Sequence, residues 1–294
     1  MTGSSLVVSE STPAEVFGKL SHPVRIEILQ ALATTETPCS FGELRSASSI
    51  DDPGQFNYHI RTLDGAFVSN TDDGYELSVA GHRLVGAVRS GVATERFECT
   101  QLSLDGSCQS CGGNIIASLD DRTIEIACDD CTAVHTEASL PPGSLEGDSP
   151  DSVATTIDRW CKRMQADAEH GICPNCSAEL NRRVVIPADE DAPNWLTGDD
   201  LEATVLYNCE HCGERFQSVL QYALLTHPAV ISAYYEAGID LRNRLNWEIP
   251  GIDSTSAEVA ATDPLAVVVP FTINDTRHRF VVNRSLELLE TRTD

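Results

Sequence analysis

"DDPGQFNYHIRTLDG", Asp51 to Gly65, carries its own instructions for a helix. Asp52 stands where an N-cap accepts from the backbone, Pro53 suits the first helical position, and Gln55 falls where a capping-box partner sits. Phe56, Ile60 and Leu63 recur at i, i+4 and i+7, which turns one face toward a core. The other face holds Gln55, Asn57, Tyr58, His59, Arg61 and Thr62. Side chains of this kind hydrogen-bond to base edges or phosphates when a helix lies in a major groove. These six are the candidate DNA contacts. Packing at a domain edge is the competing use of Tyr58 and His59.

The flanking sequence completes a unit. Upstream, "SHPVRIEILQALA" puts Val24, Ile28, Leu29 and Leu32 on one face, with Ser21 as the expected N-cap and Pro23 in the first turn. "SFGEL" then offers a capping box between Ser40 and Glu43, so a second, short helix is expected. Downstream, "AFVSNTDDGYELS" reads as a hairpin turning at Asp73-Gly74. "VAGHRLVGAVRSG" closes the unit with a helix whose Leu84, Val85 and Val88 form an apolar edge. With Val16, Phe17 and Leu20 this edge is the expected dimer surface. Helix, turn, helix and hairpin together spell a winged helix-turn-helix.

"LSHPVRIEILQAL", "FNYHIRTL" and "DDGYELSVAGHRLV" resemble the ArsR-like winged-helix transcriptional regulators of halophilic archaea, over about residues 12 to 92. The resemblance implies a homodimer on a roughly palindromic double-stranded operator, with the helix from Pro53 to about Asp64 in the major groove and the loop around Asp72 to Gly74 as the wing. Two departures matter. Metal-sensing members carry a Cys-x-Cys pair in the helix before the recognition helix, whereas "CSFGELR" supplies only Cys39, so no metal sensing is expected here. The wing tip is acidic at Asp72 and Asp73, which leaves Asn70, Thr71 and Tyr75 as its polar contacts.

The formal charge of −25 is the obstacle to that reading. It arises from 45 Asp plus Glu against 18 Arg and two Lys, Lys19 and Lys162, scattered along the chain rather than gathered in a tail. The pattern fits a surface adapted to molar salt, and it strips carboxylate pairs of their value as signs of acid-base catalysis. Residues 1 to 97 hold 12 acidic and 7 basic residues, while residues 98 to 294 hold 33 and 13, so the first segment is comparatively spared. In molar salt the screening length is about 3 Å. A distant acidic region then cannot veto docking, and counterion release adds little. Hydrogen bonds and shape must select.

Eleven cysteines fall into four Cys-x-x-Cys pairs plus Cys39, Cys99 and Cys161. Cys108/Cys111 and Cys128/Cys131 stand 16 residues apart, a spacing suited to a four-cysteine zinc site in which two knuckles close a tetrahedron. A hairpin between them would make a zinc ribbon. Cys173/Cys176 and Cys209/Cys212 are separated by 32 residues, with "RRVVIP" and "EATVLYN" as ribbon strands around an acidic insertion. Two separate structural zinc sites per chain are expected, with cross-pairing of knuckles as the alternative. His211 lies inside a knuckle as a bystander or a substitute ligand. Disulfides are the competing chemistry, disfavoured because "MTGSSLVVSE" lacks the basic and apolar regions of a secretion signal. The three single cysteines are expected to be buried.

The remaining chain predicts packing elements. "SVATTIDRWCKRMQADAEHG" aligns Val153, Ile157, Trp160, Met164 and Ala168 on one helical face, expected against the second ribbon. Helices run on to about Leu245 with a break at Thr226-His227-Pro228, and "PLAVVVPFTI" and "HRFVVN" read as strands of a small sheet. That sheet serves stability or dimerisation, with effector binding as the alternative. The whole is α+β: a flexible stretch 1–11, a winged helix 12–97, a ribbon 98–140, a linker 141–151, a helix plus ribbon 152–225, and a helical and β region 226–294. The expected function is a cytoplasmic, zinc-containing transcriptional regulator without membrane association, its effector or protein partner unidentified. A zinc-ribbon scaffold for transcription-machinery proteins is the alternative. No phosphate loop, nucleophile elbow or open metal triad points to an enzyme.

Overall fold

The computed structural model describes residues 11–131, 133–145, 150–197, 201–252 and 256–294. Its mixed helices and small antiparallel sheets fall into two units, one of residues 1–96 with 141–143 and one of residues 97–140 with 144–294.

The first unit contains α1 (Pro13–Gly18), α2 (Pro23–Leu32), α3 (Phe41–Ser46), α4 (Pro53–Leu63), β1 (Val68–Thr71), β2 (Gly74–Leu77) and α5 (Val79–Arg89). Reciprocal capping boxes start α1, at Thr12 and Glu15, and α3, at Ser40 and Glu43. Helix α4 starts on a one-way cap rather than the expected box: Asp52 Oδ1 accepts from the Gln55 N–H at 2.6 Å. The cap of α2 is His22 and not Ser21. His22 Nδ1 accepts from the Val24 N–H at 3.3 Å, whereas the Ser21 hydroxyl donates back to the Gly18 carbonyl. Ile28, Leu29 and Leu32 of α2 meet Phe56, Ile60 and Leu63 of α4 in one core closed by Val68 and Leu77 of the hairpin. Phe41 adds an edge-on ring contact to Phe56 at 4.9 Å.

The hairpin turns one residue earlier than expected. Thr71 pairs with Gly74, so Asp72 and Asp73 form the two-residue turn. The reason lies across the strand, where Cys39 and Tyr75 exchange both backbone hydrogen bonds, at 3.0 and 2.8 Å. Gly74 has φ +136°, and a Cβ there would lie 2.5 Å from the Cys39 carbonyl oxygen. Its glycine is required both by this close approach and by its positive φ.

The second unit opens with an antiparallel sheet of β3 (Phe97–Ser107), β4 (Asn114–Asp121), β5 (Thr123–Cys128) and β6 (Val134–Ser139), paired in that order. Helix α6 (Pro150–Glu169) follows, then a three-stranded sheet of β7 (Asn181–Val185), β8 (Thr204–Asn208) and β9 (Arg215–Ser218). Helices α7 (Leu220–Leu224) and α8 (Pro228–Glu236) precede a final meander of β10 (Glu258–Thr262), β11 (Leu265–Ile273), β12 (Thr276–Val282) and β13 (Leu288–Thr293).

Two cores result. Val153, Ala154 and Ile157 of α6 pack with Ile115, Ile124 and Ile126 of the first sheet, correcting the expectation that this helix serves the second ribbon; only its end, at Ala168, joins the other core. That larger core gathers Val184 and Val205 of the second sheet with Val267, Val269 and Phe271 of β11, each on one face by period-two alternation. The break at His227-Pro228 is present, with His227 capping α8. Helix does not persist to Leu245. Ala237 and Gly238 end α8 through paired bonds from the Gly238 N–H to Tyr235 and from the Ile239 N–H to Tyr234, both 2.9 Å, and short 3-10 turns follow at Leu241–Asn243 and Asn246–Glu248. Among the described residues no helix is long and apolar enough to cross a membrane.

Candidate metal centres and surface helix

The four Cys-x-x-Cys pairs fold into copies of one knuckle. The first cysteine of each donates its N–H to the carbonyl five residues on, from Cys108 to Gly113, Cys128 to Ala133, Cys173 to Ala178 and Cys209 to Glu214, all at 2.8–2.9 Å. Where the residue four on is among the described residues it donates back to that cysteine, through the N–H of Gly112, Ser177 and Gly213. The bend this requires puts those three residues at positive φ, +77°, +62° and +80°. Knuckle amides also turn toward sulfur: the Gly113 N–H lies 3.4 Å from Cys111 Sγ and the Asp130 N–H 3.4 Å from Cys128 Sγ. Amides so placed can donate to a sulfur that ligates metal.

Knuckles then meet in pairs. Cys108, Cys111, Cys128 and Cys131 form one group and Cys173, Cys176, Cys209 and Cys212 a second, each with its sulfurs within 4.8 Å of one another. Cross-pairing between the sets does not occur. The short edges are Cys108–Cys131 at 3.7 Å, Cys111–Cys128 at 3.5 Å, Cys173–Cys212 at 3.7 Å and Cys176–Cys209 at 3.6 Å. A disulfide needs sulfurs about 2.0 Å apart. Four sulfurs at a metal–sulfur bond of about 2.3 Å make a tetrahedron with edges of about 3.8 Å. The observed edges match the metal geometry. With four thiolates per group no coordination position is left for a substrate, so each centre is built to hold structure together. His211 is exposed and belongs to neither group.

Burial alternates within the pairs. Cys108, Cys128, Cys173 and Cys209 lie in the cores, whereas Cys111, Cys131 and Cys212 are exposed and Cys176 is half-buried. Of the single cysteines, Cys39 and Cys161 are buried as expected, and burial drives the Cys161 thiol up to about 12. Cys99 is exposed, against expectation: it sits where the β3–β4 register slips between Phe97 and Thr100, at an irregular strand end.

On α4, the structure exposes Gln55, Tyr58 and Arg61 and leaves Asn57 and Thr62 half-buried on the same side. Tyr58 is 62% exposed, and the Thr62 hydroxyl donates to the Tyr58 carbonyl at 2.9 Å. His59 is the exception. It is 3% exposed, its Nδ1 accepts from Arg25 Nε at 3.3 Å, and its ring lies 4.4 Å from that of His22. His59 therefore faces the core and not the outer side of α4, which corrects its expected place among the DNA contacts. Burial, then the charges of His22 and Arg25, lower its proton affinity below the ordinary imidazole range. Arg25 in turn donates to the Lys19 carbonyl at 3.0 Å and lies over the Tyr58 ring at 5.8 Å. Helical periodicity within α4 could not disclose this, because the partner comes from α2, 34 residues away.

One family model, described as a domain of unknown function (DUF7351), matches residues 105–288, well over half of the chain and both cysteine groups. The chain belongs to the DUF7351 family. In this DUF7351 member a second model, also a domain of unknown function (DUF7347), matches residues 13–88, which run from α1 into α5. No curated protein and no solved structure gives a significant match.

Proposed function

We propose that this chain is a transcriptional regulator whose first unit is a winged helix-turn-helix reading double-stranded DNA, and whose second unit is a pair of zinc ribbons. The observation carrying the reading is the two-sidedness of α4: Phe56, Ile60 and Leu63 fix it in the core while Gln55, Asn57, Tyr58, Arg61 and Thr62 lie together on the outer side. A helix anchored on one side by apolar residues and polar on the other, beside a two-stranded hairpin, supplies what groove readout needs. Arg61 is the single charge in that row, so hydrogen bonding and shape dominate the recognition. Of the expected dimer edge, Val85 is buried in the unit's own core with Val16, Leu20 and Leu84 packed against it, so Phe17, 66% exposed, is the residue that supports a homodimer spanning two half-sites.

Genome-wide footprinting of the tagged chain in high-salt cells tests the reading. Discrete palindromic sites are expected, and the double variant Asn57→Ala/Arg61→Ala is expected to lose them while retaining its fold and metal. Occupancy that survives the double variant removes α4 as the reading helix. Occupancy that follows polymerase uniformly favours instead a scaffold for transcription-machinery proteins. Metal analysis after reducing purification is expected to give about two zinc per chain, from the two four-thiolate sets.

A further inference from the structure

Within the second unit a cleft of about 620 Å³ opens between β6, the C-terminal half of α6, the β8–β9 pair and α7. Its walls carry five aromatic residues, Trp160, Trp195, Tyr207, Phe216 and Tyr222, with Met164 beside them. Both metal-held ribbons build it. One wall, β6, leaves the Cys128/Cys131 knuckle directly, and the other consists of the two strands that flank the Cys209/Cys212 knuckle. Tyr207 and Phe216 stack across β8 and β9 at 4.6 Å and nearly parallel, which sets a flat aromatic surface in the wall.

Three observations define what such a cleft takes. Its volume lies in the range of small-molecule sites, about 300–1,000 Å³. Trp195 is 47% exposed, a large ring left facing water at the cleft instead of packed into a core. The charges do not favour an anion: Glu137 and Glu214 outnumber Arg215 among the residues lining the cleft. We propose that this cleft is a binding site for a flat, uncharged aromatic molecule, held by stacking among the cleft rings. The site stands apart from the DNA reading, since its residues lie in the second unit and its occupancy is measured without DNA.

The test uses the full-length, metal-loaded chain and N-phenyl-1-naphthylamine, a neutral aromatic probe that brightens when shielded from water. Saturable binding at one site per chain is expected, at least tenfold weaker in Trp195→Ala and absent in Met164→Trp, which fills the cleft. Metal content and helical signal should match the parent in both variants; if Met164→Trp loses metal, Trp195→Ala alone decides. Anionic 1-naphthoate is expected to bind at least tenfold more weakly than the neutral probe. No saturable binding by the parent, undiminished binding in Trp195→Ala, or equal affinity for the naphthoate overturns the proposal.

Discussion

The two units close tight bends in different ways. Among the described residues of the first unit, every position with positive φ is a glycine: Gly65, Gly74 and Gly91. The second unit places Asp121, Ser177, Asn274, Asp275 and Leu286 in that region as well as glycines. Ser177 shows why. It occupies the same knuckle position as Gly112 and Gly213 and makes the same hydrogen bond back to the first cysteine. An L-residue held there costs roughly 1–2 kcal/mol, and it is held by the bond back to Cys173 directly after the two ligating cysteines. Where the first unit relies on local backbone preference, the knuckles of the second are held by two sets of four sulfurs, each converging on a point.

The strongest way to break this contrast is to remove the metal. A high-affinity chelator should unfold the second unit, whose two sites would each supply on the order of 10 kcal/mol, and leave the first with its own melting transition. Loss of both transitions together would show that the units do not fold separately. Cys209→Ser is expected to halve the bound metal and to produce the same selective unfolding, because Cys209 is buried in the larger core of that unit.

Next in size is Gly74→Ala, in which unfavourable φ and the 2.5 Å approach to the Cys39 carbonyl combine; a loss of about 2–4 kcal/mol is expected from urea unfolding. Gly213→Ala has open space around its new methyl group. It should therefore cost only the conformational term, about 1 kcal/mol, and a loss as large as that of Gly74→Ala would mean that the steric argument is mistaken. Ser177→Gly runs the opposite way, with a gain of up to about 1 kcal/mol in the holo chain.

The smallest effect concerns pH. Because His59 is held less basic in the folded state than in the unfolded chain, the unfolded chain takes up the proton first on acidification. The associated stability is present above the ordinary histidine range, near pH 6.5, and is lost as pH falls through the lowered value. The urea midpoint of the first unit should drop between pH 7 and 5, and His59→Gln should flatten that slope.

Local signals were the legible part of this chain. The Asp52 cap, the Ser40–Glu43 box, the Phe56–Ile60–Leu63 stripe and the pairing of knuckles within each set were all readable, since each is decided by residues within a turn or by one short ligand spacing. What escaped was decided from a distance. The hairpin turn shifted because Cys39 claims Tyr75, His59 turned inward because Arg25 reaches it, and α6 chose the first sheet because apolar side chains there face its first half. The aromatic cleft was invisible for the same reason: its rings come from two helices, a loop and two strands that are neighbours only after both cysteine groups have closed.

The alternating burial of the cysteines gives each centre an inside and an outside. In the first group Cys108 and Cys128 are sheltered while Cys111 and Cys131 meet solvent, and in the second only Cys212 is fully exposed, with Cys176 partly covered. An oxidant or electrophile arriving from water thus finds two open sulfurs on one rivet and one on the other. Under chemical attack the first centre is therefore expected to come undone earlier.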